Sequence, residues 1–500
     1  MKSKNTRTTV LISIFIAILA INFGFIFSTI NSNSHTQKIT LINDLRSSTV
    51  YNTSIVIDDT NPASDWASAK AAGICTGSGT VGDPYIIRDH IFNTTSPTAL
   101  HIANSRKHFR ILNCEFDGVT YGIWFLNTSN GLIEDNHIST ALFGFDIMNC
   151  SQIVFRNNNC SLLGNTGIHA SVSNDLSFYS NIINNNPTNG FTLNSLENSI
   201  FEGNTANENG NYGYSISTSD FLIIRGSIVN DNQIGIYLNN CNNNSVEENT
   251  VQHSTLDGIL FSSSEDTSII KNSVVHNGAN GIELTSCDNL TLIDNEAFNN
   301  IGNGIIMTSS NDNRLESNNL YDNGEDGIQL FSSSQRNILK GNIASFNNLS
   351  GIALGLNSHN NLIYENTVFN NKHHGFYISS SNNNYITLNQ ANDNTLNGIQ
   401  LTLSDRNRIA SNTVYNNVNG TNLISSNNNF IFGNNLANNI YCYNETNSFN
   451  NIYENNICQL PATPGVSLDP FLLGLILGLV IGLGALAAVL ILYFLRGRKE

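Results

Sequence analysis

From about residue 98 onward, apolar and polar positions alternate in short bursts of three to five residues, and the bursts come three to a group. One group, starting at Gly281, reads "GIELTS", then "NLTLIDN", then "NEAFNN"; the group starting at Gly304 repeats the same order with other letters. Period-two segments of this length, bounded by Asn, Gly and Ser, predict short strands separated by turns. No group leaves room for a helix, which argues against a leucine-rich repeat of similar length.

The groups recur at a fixed distance. Their opening glycines run from Gly122 through Gly144, Gly281 and Gly304 to Gly420, at spacings of 22 to 24 residues. "TALHIANS" from Thr98 and "NNIYENNIC" from Asn450 read as outlying copies. Regularity of this kind marks a solenoid. Three strands per copy, all running the same way round, predict a parallel β-helix of about 15 coils of about 23 residues, stacked about 4.8 Å apart. Its core is then a set of rows: Ile123, Phe145, Ile168, Phe191, Tyr214 and Ile236 in one, and Phe125, Ile147, Ala170, Leu193, Ile216 and Leu238 in the next.

The same register explains the polar constants. Asn recurs about fourteen residues after each repeat glycine, at Asn295, Asn318, Asn342, Asn366, Asn389, Asn412 and Asn434. Stacked at one turn, each amide can donate to one neighbouring coil and accept from the other. The repeat glycines are expected where the chain pivots between sheets, in backbone conformations that Gly adopts most cheaply. Cys150, Cys241 and Cys287 fall in a slot otherwise filled mainly by Ser, and so read as small members of a stacked row. Cys442 and Cys458 are placed to staple the last coil.

The ends differ from the middle. Lys2, Lys4 and Arg7 precede the apolar run Val10 to Phe27, the layout of a secretory signal or signal anchor over residues 1–34. Residues 35–97 are assigned to an N-terminal cap region, in which "ASDWASAKAAG" from Ala63 predicts a short helix capped by Ser64 or Asp65 and stopped at Gly73. The β-helix takes 98–459 and a linker 460–470. The uncharged run 471–495 would extend roughly 37 Å as a helix, enough to cross a hydrocarbon core of about 30 Å. Arg496, Arg498 and Lys499 follow in a basic tail, 496–500, expected on the cytoplasmic side. These features place the repeats outside the cell membrane.

Composition narrows the partners. Asn is roughly one residue in six, charged residues are 12%, and the net charge is −16 with no basic patch between the termini. Phosphate binding needs clustered Lys and Arg, so nucleic acid is excluded as a partner. The membrane, a polysaccharide and a surface protein remain.

Candidate chemistry falls on the residue two after each repeat glycine, which should point outward. Asp146 and His169 form the acid–base pair on adjacent coils, and Glu283 is the other acid in that row. Trp124, Tyr237 and Tyr377 offer aromatic faces among amides and hydroxyls, a mixture that suits sugar rings. His253 and His276 each sit eighteen residues after their glycine, so they should stack as two metal-capable rings.

The "GI-x-L" and Asn pattern resembles the right-handed parallel β-helix repeat of the pectate-lyase-like superfamily, in particular its carbohydrate-binding, sugar-hydrolase and NosD-like group. "GSGTVGDPYII" from Gly77 is similar to the opening motif of many membrane-anchored archaeal surface proteins of this type. The resemblance spans about Gly73 to Cys458. It implies a right-handed, single-stranded, all-β solenoid with an N-terminal cap and a C-terminal transmembrane helix. For function it implies three options: a surface protein that binds carbohydrate or another polymer without catalysis, an extracellular polysaccharide lyase or hydrolase, or a copper-site maturation factor. No "GHG", "RxK" or "DPHE" is present to support the enzymes. Their candidates would be Asp146, His169 and Glu283, with calcium as the cofactor of a lyase. Copper would fall to His253 and His276. The binding reading, with no required cofactor, is the one the residues favour.

Overall fold

The computed structural model describes residues 48–117 and 120–460. The signal segment 1–34, residues 35–47, the linker beyond residue 460, the apolar run 471–495 and the basic tail lie outside the described residues. Among the described residues no helix is long and apolar enough to cross a membrane.

Most coils carry three strands, for example Ile282–Thr285, Thr291–Ile293 and Glu296–Phe298. Strands pair in parallel with their counterparts on neighbouring coils; Ile282 pairs with Ile259 and Ile305. The 34 strands of the first two faces divide equally between them, giving about 16 turns. The third face carries one set of 5 strands and one of 9, linked by isolated parallel bridges between Asn159 and Ile228.

Both core rows stack as the sequence predicts. Phe145 pairs with Ile123 and Ile168, and Ile147 with Phe125 and Ala170, with all six fully buried. A further row on the second face is aromatic: Phe155, Phe178 and Phe201 stack at centroid distances of 4.6 and 4.8 Å.

The amide ladder is present. Asn295 Oδ1 accepts from the backbone N–H and Nδ2 of Asn272, both at 3.0 Å, while its own Nδ2 donates to Ile269 O at 2.7 Å and Asn318 Oδ1 at 3.0 Å. Two further ladders run beside it. One passes through Asn277, Asn300 and Asn323, the other through Asn313, Asn337 and Asn361. Cys150, Cys241 and Cys287 lie in the serine row, each backbone N–H donating to the Oγ of Ser173, Ser264 or Ser310. Cys442 and Cys458 are disulfide-bonded.

Three expectations change. The repeat glycines are not in the left-handed region: a Cβ on Gly304 would lie 2.6 Å from Gly327 O and 3.0 Å from Asn323 Nδ2. They are glycine because adjacent coils approach too closely there for any side chain. The left-handed corners are instead taken by residues such as Ser286, Asn289, Asp294 and Asn299, all with φ near +55. Asp294 directly precedes ladder Asn295, so turn residue and ladder residue are neighbours with separate tasks. Finally, coil strands begin well inside the region assigned to the cap. Thr49–Tyr51, Ile55–Asp58, Tyr85–Arg88 and His90–Asn93 all pair in parallel with the coils that follow. The insertion between Asp58 and Tyr85 breaks the 23-residue period and hides them from a spacing search.

That insertion holds the helix Trp66–Ala71. Asp65 is its N-cap, accepting from Ser68 N at 2.8 Å, and Gly73 follows with φ +77. Trp66 stacks on Tyr85 at 4.9 Å and is anchored by its Nε1–H donating to Ser105 Oγ.

Three substitutions test the ladder and the close approach of the coils. Asn318→Ala removes a fully buried amide that joins three coils. It should cost about 3 kcal/mol, because each buried group left unpaired costs about 1–3 kcal/mol. Gly304→Ala should cost about 1–3 kcal/mol by overpacking, whereas Gly82→Ala, with nothing within 4 Å of the new Cβ, should be near neutral. Urea unfolding followed by circular dichroism reads all three.

Candidate functional site

The outward row of the first sheet forms in the expected register. His101, Trp124, Asp146, His169 and Thr192 pair in succession. His169 Nδ1 and Asp146 Oδ1 are 2.6 Å apart. Trp124 stacks on His101 at 4.1 Å with the rings within 7° of parallel, and Tyr121 flanks it at 6.1 Å. Burial holds the His101 ring below the usual imidazole range, and the Asp58 charge opposes that only in part. Trp124, Asp146 and His169 are therefore brought together. Tyr237, stacked on Tyr212 at 5.4 Å, lies three coils beyond His169. Tyr377 lies six coils further, about 29 Å at one coil spacing. The three aromatic candidates do not share one site.

Glu283 is not isolated. Asn280 Nδ2 donates to Glu283 Oε2 at 2.9 Å and to Asp257 Oδ1 at 3.1 Å. Burial raises the Glu283 carboxyl, and the Asp257 charge adds to the rise. His253 and His276 do stack, with centroids 5.4 Å apart. Among the described residues, however, no three His, Cys, Asp or Glu side chains gather in a way that could hold a metal ion. The pair lacks the further protein ligands that a copper or zinc site takes.

A cavity lies around Tyr377. It is a cleft of about 700 Å³, walled by Phe331, Leu349, Leu354 and Ile424 on the apolar side and by Asp326, His374, Gln400 and Asn422 on the polar side. Its position follows from the chain. The glycine spacing is 24 residues from Gly327 to Gly351 and again from Gly351 to Gly375. In the 23-residue coil before them, one residue after the first strand, Ser309, takes positive φ; here two successive residues do, Ser332 and Ser333, then Leu356 and Asn357. The extra residue bulges the end of the first strand at the rim of the cleft, the placement that bulges near functional sites commonly have. These two longer spacings are the mark that the cleft leaves in the sequence.

The polar wall is built on a fourth ladder, the residue just before each repeat glycine. Asn280 N donates to Asp257 Oδ1, Asn303 N to Asn280 Oδ1, and Asp326 N to Asn303 Oδ1, at 2.9 to 3.0 Å. At the cleft the ladder residues become Asp326, Ser350 and His374 before Asn397 resumes. Asp326 Oδ1 accepts from Ser350 N at 2.6 Å and Oδ2 from Gln329 Nε2 at 3.1 Å. The side chain is 4% exposed; burial pushes its carboxyl up to about 7, and the Glu325 charge adds to the rise. His374 Nδ1 accepts from Asn397 N at 3.3 Å, which leaves its proton on Nε2. Burial, with His373 beside it, pulls that ring down to about 4. Tyr377 stacks on His374 at 5.3 Å. Gln400 is locked: its Oε1 accepts from Asn397 and Asn422 Nδ2, and its Nε2 donates to Leu401 O and Thr402 Oγ1. Fixed amides, a neutral imidazole and a ring face between apolar walls can hold a polyhydroxylated ring.

The sequence model described as "right handed beta helix region" matches this chain over residues 30–205, 98–235, 164–274, 193–318, 234–391 and 302–437, together most of its length. No curated protein matches it. Among solved structures, the A-module of mannuronan C-5 epimerase AlgE4 from Azotobacter vinelandii is 14% identical, with 82% of this chain and 97% of that one covered and a TM-score of 0.37. The surface adhesin PfbA of Streptococcus pneumoniae is 11% identical, with coverage of 60% and 85% and a TM-score of 0.35. The Dettilon tailspike protein is 12% identical, with coverage of 62% of each chain and a TM-score of 0.37. At these scores none of the three bears on function.

Asp326 makes a prediction about stability. Its carboxyl titrates higher folded than unfolded, so burial is tolerated below pH about 4, where both states are protonated, and costs progressively more as pH rises to about 7. The loss amounts to about 4 kcal/mol. Asp326→Asn should abolish it, and its Nδ2 should also donate to Asn303 Oδ1 as Asn303 does to Asn280. Urea midpoints of both proteins across that pH range should converge in acid and separate above neutrality, with the variant the more stable.

Proposed function

Because this chain belongs to the right-handed β-helix family, we propose that it binds carbohydrate or another surface polymer along the outer face of its first sheet, without a catalytic step. The observation that carries this reading is the cleft at Tyr377, where a stacked aromatic face meets fixed amides and apolar walls. Its volume lies within the range of small-molecule sites. Tyr237 on Tyr212 and Trp124 on His101 supply further ring faces along the same sheet for a long polymer.

In this reading the repeats are displayed outside the cell. The N-terminal apolar run exports the chain, 471–495 holds it in the membrane, and the helix Trp66–Ala71 covers part of the first coils. A second reading, a polysaccharide lyase or hydrolase, draws support from the 2.6 Å contact between His169 and Asp146 beside Trp124. Copper handling of the NosD kind has only the His253 and His276 rings to draw on.

Binding of the full-length chain to a panel of soluble oligosaccharides, run beside a reducing-sugar assay, separates these readings. Tyr377→Ala should weaken the best binder about tenfold, in line with the 0.5–1.5 kcal/mol that ring packing contributes. No sugar should be released. Release that disappears in Asp146→Asn would establish the enzyme instead.

A further inference from the structure

Asp326 ends a run of asparagines in its row, which opens on another aspartate, Asp257. The two residues before it, Asn280 and Asn303, each use Nδ2 to donate to the Oδ1 of the preceding coil. An asparagine at 326 would continue that series. An ionised aspartate cannot donate, and its carboxyl is almost wholly buried. Its partners are the Ser350 N–H and the Gln329 amide. The nearest other carboxyl, Glu325, opposes its ionisation while being held by Asn303 Nδ2 at 2.8 Å. The remaining titratable groups lining the cleft are His373, His374 and Tyr377; no Lys or Arg lines it. His374 Nδ1 accepts from Asn397 N, so among the described residues that line the cleft none brings a permanent positive charge to the buried carboxylate.

The charge is therefore left for the ligand. A metal ion is a poor fit, because one carboxylate among amides falls short of the oxygen set that calcium or magnesium takes. An anionic sugar would meet Asp326 with no Lys or Arg in the cleft to balance its charge. Resting on the carbohydrate-binding reading, we propose that the cleft takes an amine-bearing sugar, its ammonium group seated on the Asp326 carboxylate and its ring on Tyr377. The ammonium would make a charge-assisted hydrogen bond, of the kind roughly twice as strong as a neutral one. When Asp326 starts protonated, binding releases that proton to solvent as the carboxylate pairs with the ammonium.

The test uses the full-length chain at neutral pH and four probes: a glucosamine hexamer, its fully N-acetylated form, a galacturonate hexamer and a lysine hexapeptide. The glucosamine hexamer should bind about tenfold tighter than the acetylated one. Asp326→Asn should bring that ratio close to one, while Tyr377→Ala weakens both sugars. Equal affinities in the parent protein, a preference for galacturonate, survival of the amine preference in Asp326→Asn, or lysine peptide binding as tight as glucosamine would each overturn the assignment. If Tyr377→Ala still weakens any saccharide in those cases, carbohydrate binding stands and the amine specificity alone falls. Absence of binding to every saccharide overturns both.

Discussion

Side-chain amides bonded along the axis hold this solenoid in register. Strand pairing alone would let one coil slide against the next, because parallel strands offer the same backbone groups at every second residue. The ladders forbid the slip. Asn318 binds Asn295, Asn342 and the backbone of the coil before, and a shift by one residue would break all of these contacts in a fully buried site. The repeat glycines add a steric lock, since only a residue without Cβ lets Gly304 sit against Gly327. Left-handed corners, four in a coil such as 281–303, are conformations that most residues resist. They persist because the rows on either side admit no other path.

Much of this was legible because the constraint repeats. A residue type that returns every 23 positions announces a row, so the core rows, the ladder at Asn295 and the serine row containing Cys287 could be read directly. The reason for each constant was harder to read. Glycine answers both a left-handed corner and a close approach, and spacing does not distinguish them; Gly304 belongs to the second kind. Two further ladders were missed because Asn is so abundant that the rows at Asn300 and Asn313 blended into the background. The first coils were missed for the opposite reason, since the insertion after Asp58 leaves no period to follow.

The cleft escaped because sites are departures from the pattern, and a search for repeats discards departures. Three of them coincide there: an added residue in each of two coils, paired left-handed residues after the strand, and a ladder in which Asp326, Ser350 and His374 replace amides. Any one alone would be ordinary variation. Their convergence on one face, around a carboxyl that burial raises, sets the cleft apart in a fold otherwise consistent at every level.

The same architecture explains how two unlike clusters can share a sheet. Residues two after each glycine face outward and touch mainly their counterparts one coil away, as Trp124 touches His101 and Asp146 touches His169. The core rows do not depend on their identity, and only some of them, such as Glu283, Gln329 and Gln400, bond to the ladder beside the glycine, so most coils contribute a freely chosen outward side chain at a spacing of about 4.8 Å. A polymer lying along the axis would meet these choices in sequence. Recognition by such a surface is then set by the order of coils, and the aromatic cluster at Trp124 and the acid-lined cleft at Tyr377 are separate stations on one track.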